Sequence, residues 1–188
     1  PDLQRPAGGQ VNRLDTDHTV AVAQEAGDLD PVGRVRAVGR RGPDEREVRL
    51  NWREFNAYVN RCANALAALG VTRGERVATV LANSLELVAT YWACAKLGAV
   101  VVPLSPLLTA PGLASLVADA SPRVIIGSGD QLAMLDEVRG RTPAGAASVW
   151  VLQHAAHDDE TAGYRAYGTL IADASEAEPD VRVLPGDL

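Results

Sequence analysis

Lysine is almost missing from this chain. Of the 18 basic residues in 188, 17 are arginine and only Lys96 is lysine, so positive charge seldom comes with a primary amine that could act as a nucleophile. Such a skew reads as compositional bias rather than chemistry. Cysteine is equally scarce: Cys62 and Cys94 fall in apolar, helix-patterned stretches and not in a spaced framework, which fits two buried thiols in a reducing compartment. No apolar run approaches the roughly 20 residues of a membrane span, and the residues after Pro1 do not form a basic-then-apolar leader. With a formal net charge of -6, the chain also lacks the positive field that draws nucleic acid or an anionic membrane. These absences point to a cytoplasmic protein with no nucleic-acid partner and no membrane span.

The usual chemical motifs are thin as well. GSGDQL at 127–132 supplies two glycines of a dinucleotide fingerprint but has Leu132 where the third belongs, and Gln153 and His154, not an acid, follow the next apolar run. An ordinary loop accounts for it better. His154, His157, Asp158, Asp159 and Glu160 are the densest ligand-capable group, yet no helical pattern fixes their spacing, so they read as surface residues. His18 stands alone. Ser128 lies in GSGD and not in the G-x-S-x-G setting of an esterase. The arginines Arg34, Arg36, Arg40, Arg41, Arg46 and Arg49 could bind an anion, but Asp44, Glu45 and Glu47 are interleaved and a solvated hairpin is the simpler reading. Asn83 and Ser84 could present backbone N–H groups to an anion, or they could simply cap a helix. A Gly/Ser/Thr-rich phosphate cradle with a lysine is not found. No catalytic, cofactor-binding or metal-binding residue is assigned.

What the sequence does contain is a clear α/β order. At 47% hydrophobic and 22% charged, a chain of this length can bury about 70% of its unfolded surface in one core. Residues 1–30 form a polar segment with a short helix near 19–26. Residues 31–175 form the α/β subdomain, and 176–188 an extended exit. A hairpin is expected from 34–38 and 48–52 around the turn residues Gly42 and Pro43. Asn51 and Glu54 then have capping-box form before Phe55, Val59, Cys62, Ala63, Leu66 and Leu69, which recur at helical spacing up to Gly70.

The central stretch, 70–106, reads strand (76–81), helix (84–97, stopped by Gly98) and strand (100–103), a βαβ unit. Asn83 and Glu86 repeat the capping logic, and the helix is apolar on two stripes, so both sides should be packed. The strand at 100–103 is apolar throughout and is expected at the centre of a parallel sheet. A helix capped by Thr109 up to Ala120, a strand at 123–127, a helix at 131–138, a loop at 139–147, a strand at 148–152 and a short helix at 167–174 follow. No internal repeat occurs. The fold expected is an open doubly wound, mainly parallel sheet of four strands with flanking helices and a small N-terminal hairpin.

The stretch GVTRGERVATVLANSLELVATYWACAKLGAVVVPLSPLLTAPGLASLVADASPRVII resembles the N-terminal region of the AMP-forming acyl- and aryl-CoA synthetases. This is the adenylate-forming family, which includes luciferases and peptide-synthetase adenylation domains. RLNWREFNAYVNRCANALAAL is similar to that family's opening helix, with Asn51 where a Thr is usual. Residues 20–126 match closely and the remainder loosely. Ser105 stands where many relatives have Asn, and Arg123 where the position is often small; both bear on subfamily. The resemblance implies a carboxylic acid substrate, most often a fatty acid. It implies ATP with Mg2+ for adenylation and coenzyme A for thioester formation. In relatives the phosphate loop comes soon after a sequence like PGDL, and Lys96 matches none of the family's functional positions.

Two classes of function remain open at this point. One is an N-terminal fragment of an ATP-dependent acid:CoA ligase, inactive by itself and self-associating through an exposed sheet edge or apolar face. The other is a stand-alone non-catalytic binding or interaction domain. Dinucleotide binding is a distant third.

Overall fold

A computed structural model of the chain describes residues 34–35, 48, 50–143, 147–153 and 163–183. The helix expected near 19–26, the arginine-rich turn at 36–47 and the histidine-bearing loop at 154–162 lie outside them.

Strand β1 (Arg34–Val35) pairs antiparallel with β2 (Leu50–Asn51), Arg34 opposite Asn51. These are the paired ends of the expected hairpin. Helix α1 (Trp52–Ala68) starts where the sequence says it should. The Asn51 side chain accepts from the Glu54 N–H at 2.9 Å, and the Glu54 carboxylate accepts from the Asn51 N–H at 2.8 Å. Two of the helix's orphan donors are thereby satisfied reciprocally. Phe55, Val59, Cys62, Ala63 and Leu66 are buried as their spacing requires, and Gly70 turns the chain at φ +86°, a backbone that side chains with a Cβ resist.

Five parallel strands follow: β3 (Arg76–Val80), β4 (Val100–Leu104), β5 (Val124–Ser128), β6 (Val149–Gln153) and β7 (Tyr164–Ala166). Their order across the sheet is β4-β3-β5-β6-β7. Val77 lies between Val101 of β4 and Val124 of β5, and Ile125 opposite Trp150 of β6. Helices α2 (Leu85–Leu97), α3 (Ala110–Ala120), α4 (Leu132–Arg141) and α5 (Tyr167–Ala172) make the crossovers and the exit. One core lies where α1, α2 and α5 cover Val77, Val124, Ile126 and Val151; the other lies where α3 and α4 cover Ala78, Val80, Ile125 and Trp150. The open, doubly wound parallel sheet is the expected one.

Four local expectations change. The sheet has a fifth strand, β7, only three residues long and therefore without a readable alternation. Strand β4 is at the edge, not the centre: among the described strands it pairs with β3 alone. Val101 packs against one core and Val102 and Leu104 against the other, while Val100 is exposed, and face coverage says nothing about lateral neighbours. Helix α2 is buried on one side only, through Leu85, Glu86, Ala89, Thr90, Ala93, Cys94 and Leu97, whereas Trp92 is 55% exposed. Helix α4 runs on past Arg139 to Arg141, where Arg141 pairs with Glu137 one turn back at 2.6 Å and Thr142 donates to the Val138 carbonyl at 3.3 Å.

Candidate functional site

In an open parallel sheet, ligands bind beyond the carboxyl ends of the strands, where neighbouring strands send the chain to opposite faces. That point lies between β3 and β5. From β3 the chain passes through residues 81–84 into α2 on one face; from β5 it passes through a 3-10 turn, Gly129–Gln131, into α4 on the other.

The β3 side is organised by one residue of register. Ser84, not Asn83, is the N-cap of α2, its Oγ accepting from the Leu87 N–H at 3.1 Å. Glu86 is consequently the second helical residue, where it cannot close a capping box. Its carboxyl group turns inward instead, is 3% exposed, and accepts from Gln153 Nε2 at the end of β6 at 2.7 Å. From there a buried polar line runs between α1 and α2. Thr90 Oγ1 donates to the Glu86 carbonyl at 2.7 Å and lies 4.0 Å from Cys62 Sγ, which accepts from the Tyr167 hydroxyl at 3.5 Å. Burial pushes the Cys62 thiol up to about 11 and the Cys94 thiol up to about 12, and drives the Tyr167 hydroxyl well above its ordinary value.

The β5 side is stitched to its neighbour. Ser128 Oγ accepts from the Asp130 N–H at 3.4 Å, and Gln131 Nε2 donates to the Pro106 carbonyl at 2.8 Å, tying the turn after β5 to the turn after β4. Gly127 is a packing glycine: a Cβ there would meet Leu135 Cδ1 at 2.4 Å. The first glycine of GSGD, the fourth residue of β5, thus lets α4 lie close on that strand; residues 129–131 form the 3-10 turn and Leu132 opens α4, in place of the ordinary loop expected from the sequence.

The residues weighed from sequence are therefore dispersed. Asn83 and Ser84 border the crevice, with Ser84 committed to its cap. Lys96 lies at the other end of α2, bound to Glu178. Cys62 and Cys94 are buried free thiols. His18, His154 and His157 lie outside the described residues. Among the described residues no three His, Cys, Asp or Glu side chains come together to hold a metal, and no helix is long and apolar enough to cross a membrane. Sequence reasoning missed the Glu86–Gln153 pair. The signals were present as a glutamine closing the apolar run VWVLQ and a glutamate two residues after a cap, but only the fold brings them together.

Known proteins resemble this chain in sequence and fold. The chain is 36% identical over 106 residues to the long-chain-fatty-acid–CoA ligase FadD13 of Mycobacterium tuberculosis, covering 56% of this chain and 21% of that protein. It is 33% identical over 130 residues to the indoleacetate–CoA ligase of Aromatoleum aromaticum, covering 69% of this chain and 24% of that protein. The chain thus spans about a fifth to a quarter of the length of these relatives. Among solved structures, the N-terminal domain of FACL13 from Mycobacterium tuberculosis is similar with a TM-score of 0.64 at 28% identity, over 75% of this chain and 33% of that one. The anthranilate CoA ligase AuaEII in complex with anthranoyl-AMP is similar with a TM-score of 0.62 at 28% identity, over 72% and 24%. The family model described as AMP-binding enzyme matches residues 27–182, more than four fifths of the sequence, and the chain belongs to that family.

Proposed function

We propose that this chain is the amino-terminal portion of a cytoplasmic AMP-forming acid:CoA ligase. The whole enzyme activates a carboxylic acid, a fatty acid before an aromatic one, with ATP and Mg2+ and passes it to coenzyme A. One observation carries the reading: the family match spans 27–182, and the parallel sheet within that span is shared with the N-terminal domain of an acyl-CoA synthetase. The two buried free thiols are in keeping with a reducing compartment. FadD13 supports the preference for a fatty acid, while the indoleacetate ligase marks the aromatic class as the competitor.

ATP would supply the adenylyl group that turns a carboxylate into a substrate for thiol attack. The described residues do not fit it. Ser84 Oγ is taken by the α2 cap, Ser128 Oγ by Asp130, and Lys96 is bound to Glu178 far from the crevice. No carboxylate cluster suited to Mg2+ occurs among them. On this reading the 188-residue chain is inactive alone and binds neither ATP nor metal. What its residues do is shape one wall of the crevice and hold the turns after β3, β4 and β5 in place.

The outer edge of β4, unpaired among the described strands, and the exposed apolar side chains Tyr91, Trp92, Val100, Leu107 and Leu116 support a second part of the reading. An unpaired edge beside uncovered apolar surface recruits another chain. The 188-residue chain self-associates there, and light scattering that finds a monomer at high concentration refutes this part.

The activity test uses the product of the gene that encodes these residues, supplied with ATP, coenzyme A and a panel of straight-chain and aromatic acids. Acid-dependent pyrophosphate release with formation of the acyl-CoA is expected, strongest with straight-chain acids. Failure with every acid overturns the ligase reading, and pyrophosphate release by the 188-residue chain alone overturns its inactivity.

A further inference from the structure

After α5 the chain has no regular structure up to residue 183, yet it is held along its whole length. The contacts come in chain order. Arg61 Nη1 donates to the carbonyls of Ile171 at 3.4 Å and Ala172 at 3.1 Å, and its guanidinium pairs with the Glu176 carboxylate at 2.6 Å. Asn64 Nδ2 donates to the carbonyls of Ser175 at 2.8 Å and Ala177 at 2.9 Å, and Asn60 Nδ2 to that of Glu176 at 2.9 Å. Lys96, in the last turn of α2, binds the Glu178 carboxylate, and Arg73 donates to the Arg182 carbonyl. Val183 finally lies over Gly98, the left-handed C-cap of α2.

Every donor in this series belongs to α1, α2 or the turn at Arg73, and every acceptor to the last two residues of α5 or to the segment that follows it. Asn60 and the adjacent Arg61 sit about one turn before Asn64 on α1, so one side of the helix reads the backbone of residues 171–177. The segment buries little in return: residues 175–178 and 180–183 are all exposed. Polar bonds to two asparagines and three cationic side chains, not apolar burial, keep it down. The bonds to Arg61, Arg73 and Lys96 are weakened by salt or by loss of charge, while the asparagine bonds and the apolar cores beneath are not.

We propose that residues 173–183 are a charge-operated strap, fastened across α1 and α2 mainly by Arg61 and Lys96, that opens when those charges are neutralised or screened while the domain stays folded. The strap carries the chain from α5 over to the end of α2, beside the start of the edge strand β4. Its state therefore decides where anything following it is presented. This is a property of the chain's own contacts and does not depend on the ligase reading.

The scarcity of lysine makes the test clean. Acetylation of the 188-residue chain has one side-chain amine to modify, and it removes that charge. Reductive dimethylation modifies the same amine and keeps the charge. The readout is cleavage by a glutamate-specific protease at the Glu176–Ala177 bond, which has to leave Arg61, Asn60 and Asn64 to enter a protease site. The near-UV circular dichroism of the buried Trp150 reports on the core.

Acetylation should speed cleavage about three- to fivefold, the factor that corresponds to losing one exposed ion pair. Dimethylation should leave the rate unchanged, and Lys96→Arg should keep the slow rate after acetylation. Arg61→Ala should add to the acetylation effect, and raised salt should reproduce it, all without change in the Trp150 signal. The proposal fails if the rate ignores the charge at Lys96, if both modifications speed cleavage equally, or if the Trp150 signal falls in step with cleavage.

Discussion

Replacing Gln153 by leucine tests whether the inward turn of Glu86 is a structural commitment. Gln153 is 5% exposed and Glu86 3%, so water cannot take over when the 2.7 Å bond between them is lost. Leucine has nearly the volume of glutamine, which removes cavity formation from the comparison. What remains is a buried carboxyl group deprived of a donor, a loss of about 1.5–3 kcal/mol for a hydrogen bond to an ionisable group. For a domain of this length each kcal/mol lowers the melting midpoint by about 2–4 °C, so a fall of roughly 4–8 °C is expected for a 2 kcal/mol loss. Urea unfolding followed by tryptophan fluorescence gives the free energy directly.

Gln153→Glu sharpens the test through pH. It sets two carboxyl groups at hydrogen-bond distance, and like charges that close cannot both ionise without cost. A shared proton restores the bond, so the pair holds its proton to higher pH when folded than when unfolded. The associated stability is fully present below the ordinary carboxylate range and is lost as pH rises. The variant should approach the parent chain near pH 4 and fall well below it at pH 8. If Gln153→Leu costs less than about 0.5 kcal/mol, the level of an ordinary surface change, or if Gln153→Glu shows no added pH dependence, the pair does not hold the crevice wall.

Two further outcomes follow from the packing. Gly127→Ala places a Cβ 2.4 Å from Leu135 Cδ1 and should cost about 1–3 kcal/mol by overpacking; trimming the obstacle in Gly127→Ala/Leu135→Val should recover part of it, and thermal melts that show no loss in the single variant refute the close approach. The thiols of Cys62 and Cys94, raised by burial to about 11 and 12, should resist a thiol reagent at pH 8 until the chain is unfolded. Because the unfolded thiols ionise near 9 and the folded ones later, stability from these groups is intact below about pH 9 and declines toward pH 11; urea midpoints unchanged between pH 8 and 10.5 in the parent chain, compared with Cys62→Ala/Cys94→Ala, contradict this.

Local signals were read well where the chemistry is local. The Asn51–Glu54 box depends on three residues of spacing and is found with both of its bonds. Gly98 stops α2 in the left-handed conformation that its position required. Errors arose wherever a sequence pattern had to stand for a neighbour it does not encode. A single step in the cap, from Asn83 to Ser84, rotates Glu86 by about 100°, from a solvent-facing capping role into the core. Both Asn83 and Ser84 are good cap residues, and the observed start combines the Ser84–Leu87 cap with a buried bond from Gln153, 67 residues away, to Glu86.

Strand β4 shows the same limit on a larger scale. Val101 packs on the core under α2, and Val102 and Leu104 on the core under α3, and that packing requirement is identical for a central and an edge strand of a parallel sheet. Position within the sheet is carried by backbone N–H and C=O groups, which every residue except proline possesses equally. The one side chain that bears on lateral pairing is Pro103, opposite Thr79, since a residue without an N–H is at home on an edge. Read for its backbone and not for its hydropathy, that single proline separates the two placements. The stretch at 70–106, inside the family match at 27–182, therefore shapes one wall of a crevice, while its outer strand has, among the described strands, a neighbour on one side only.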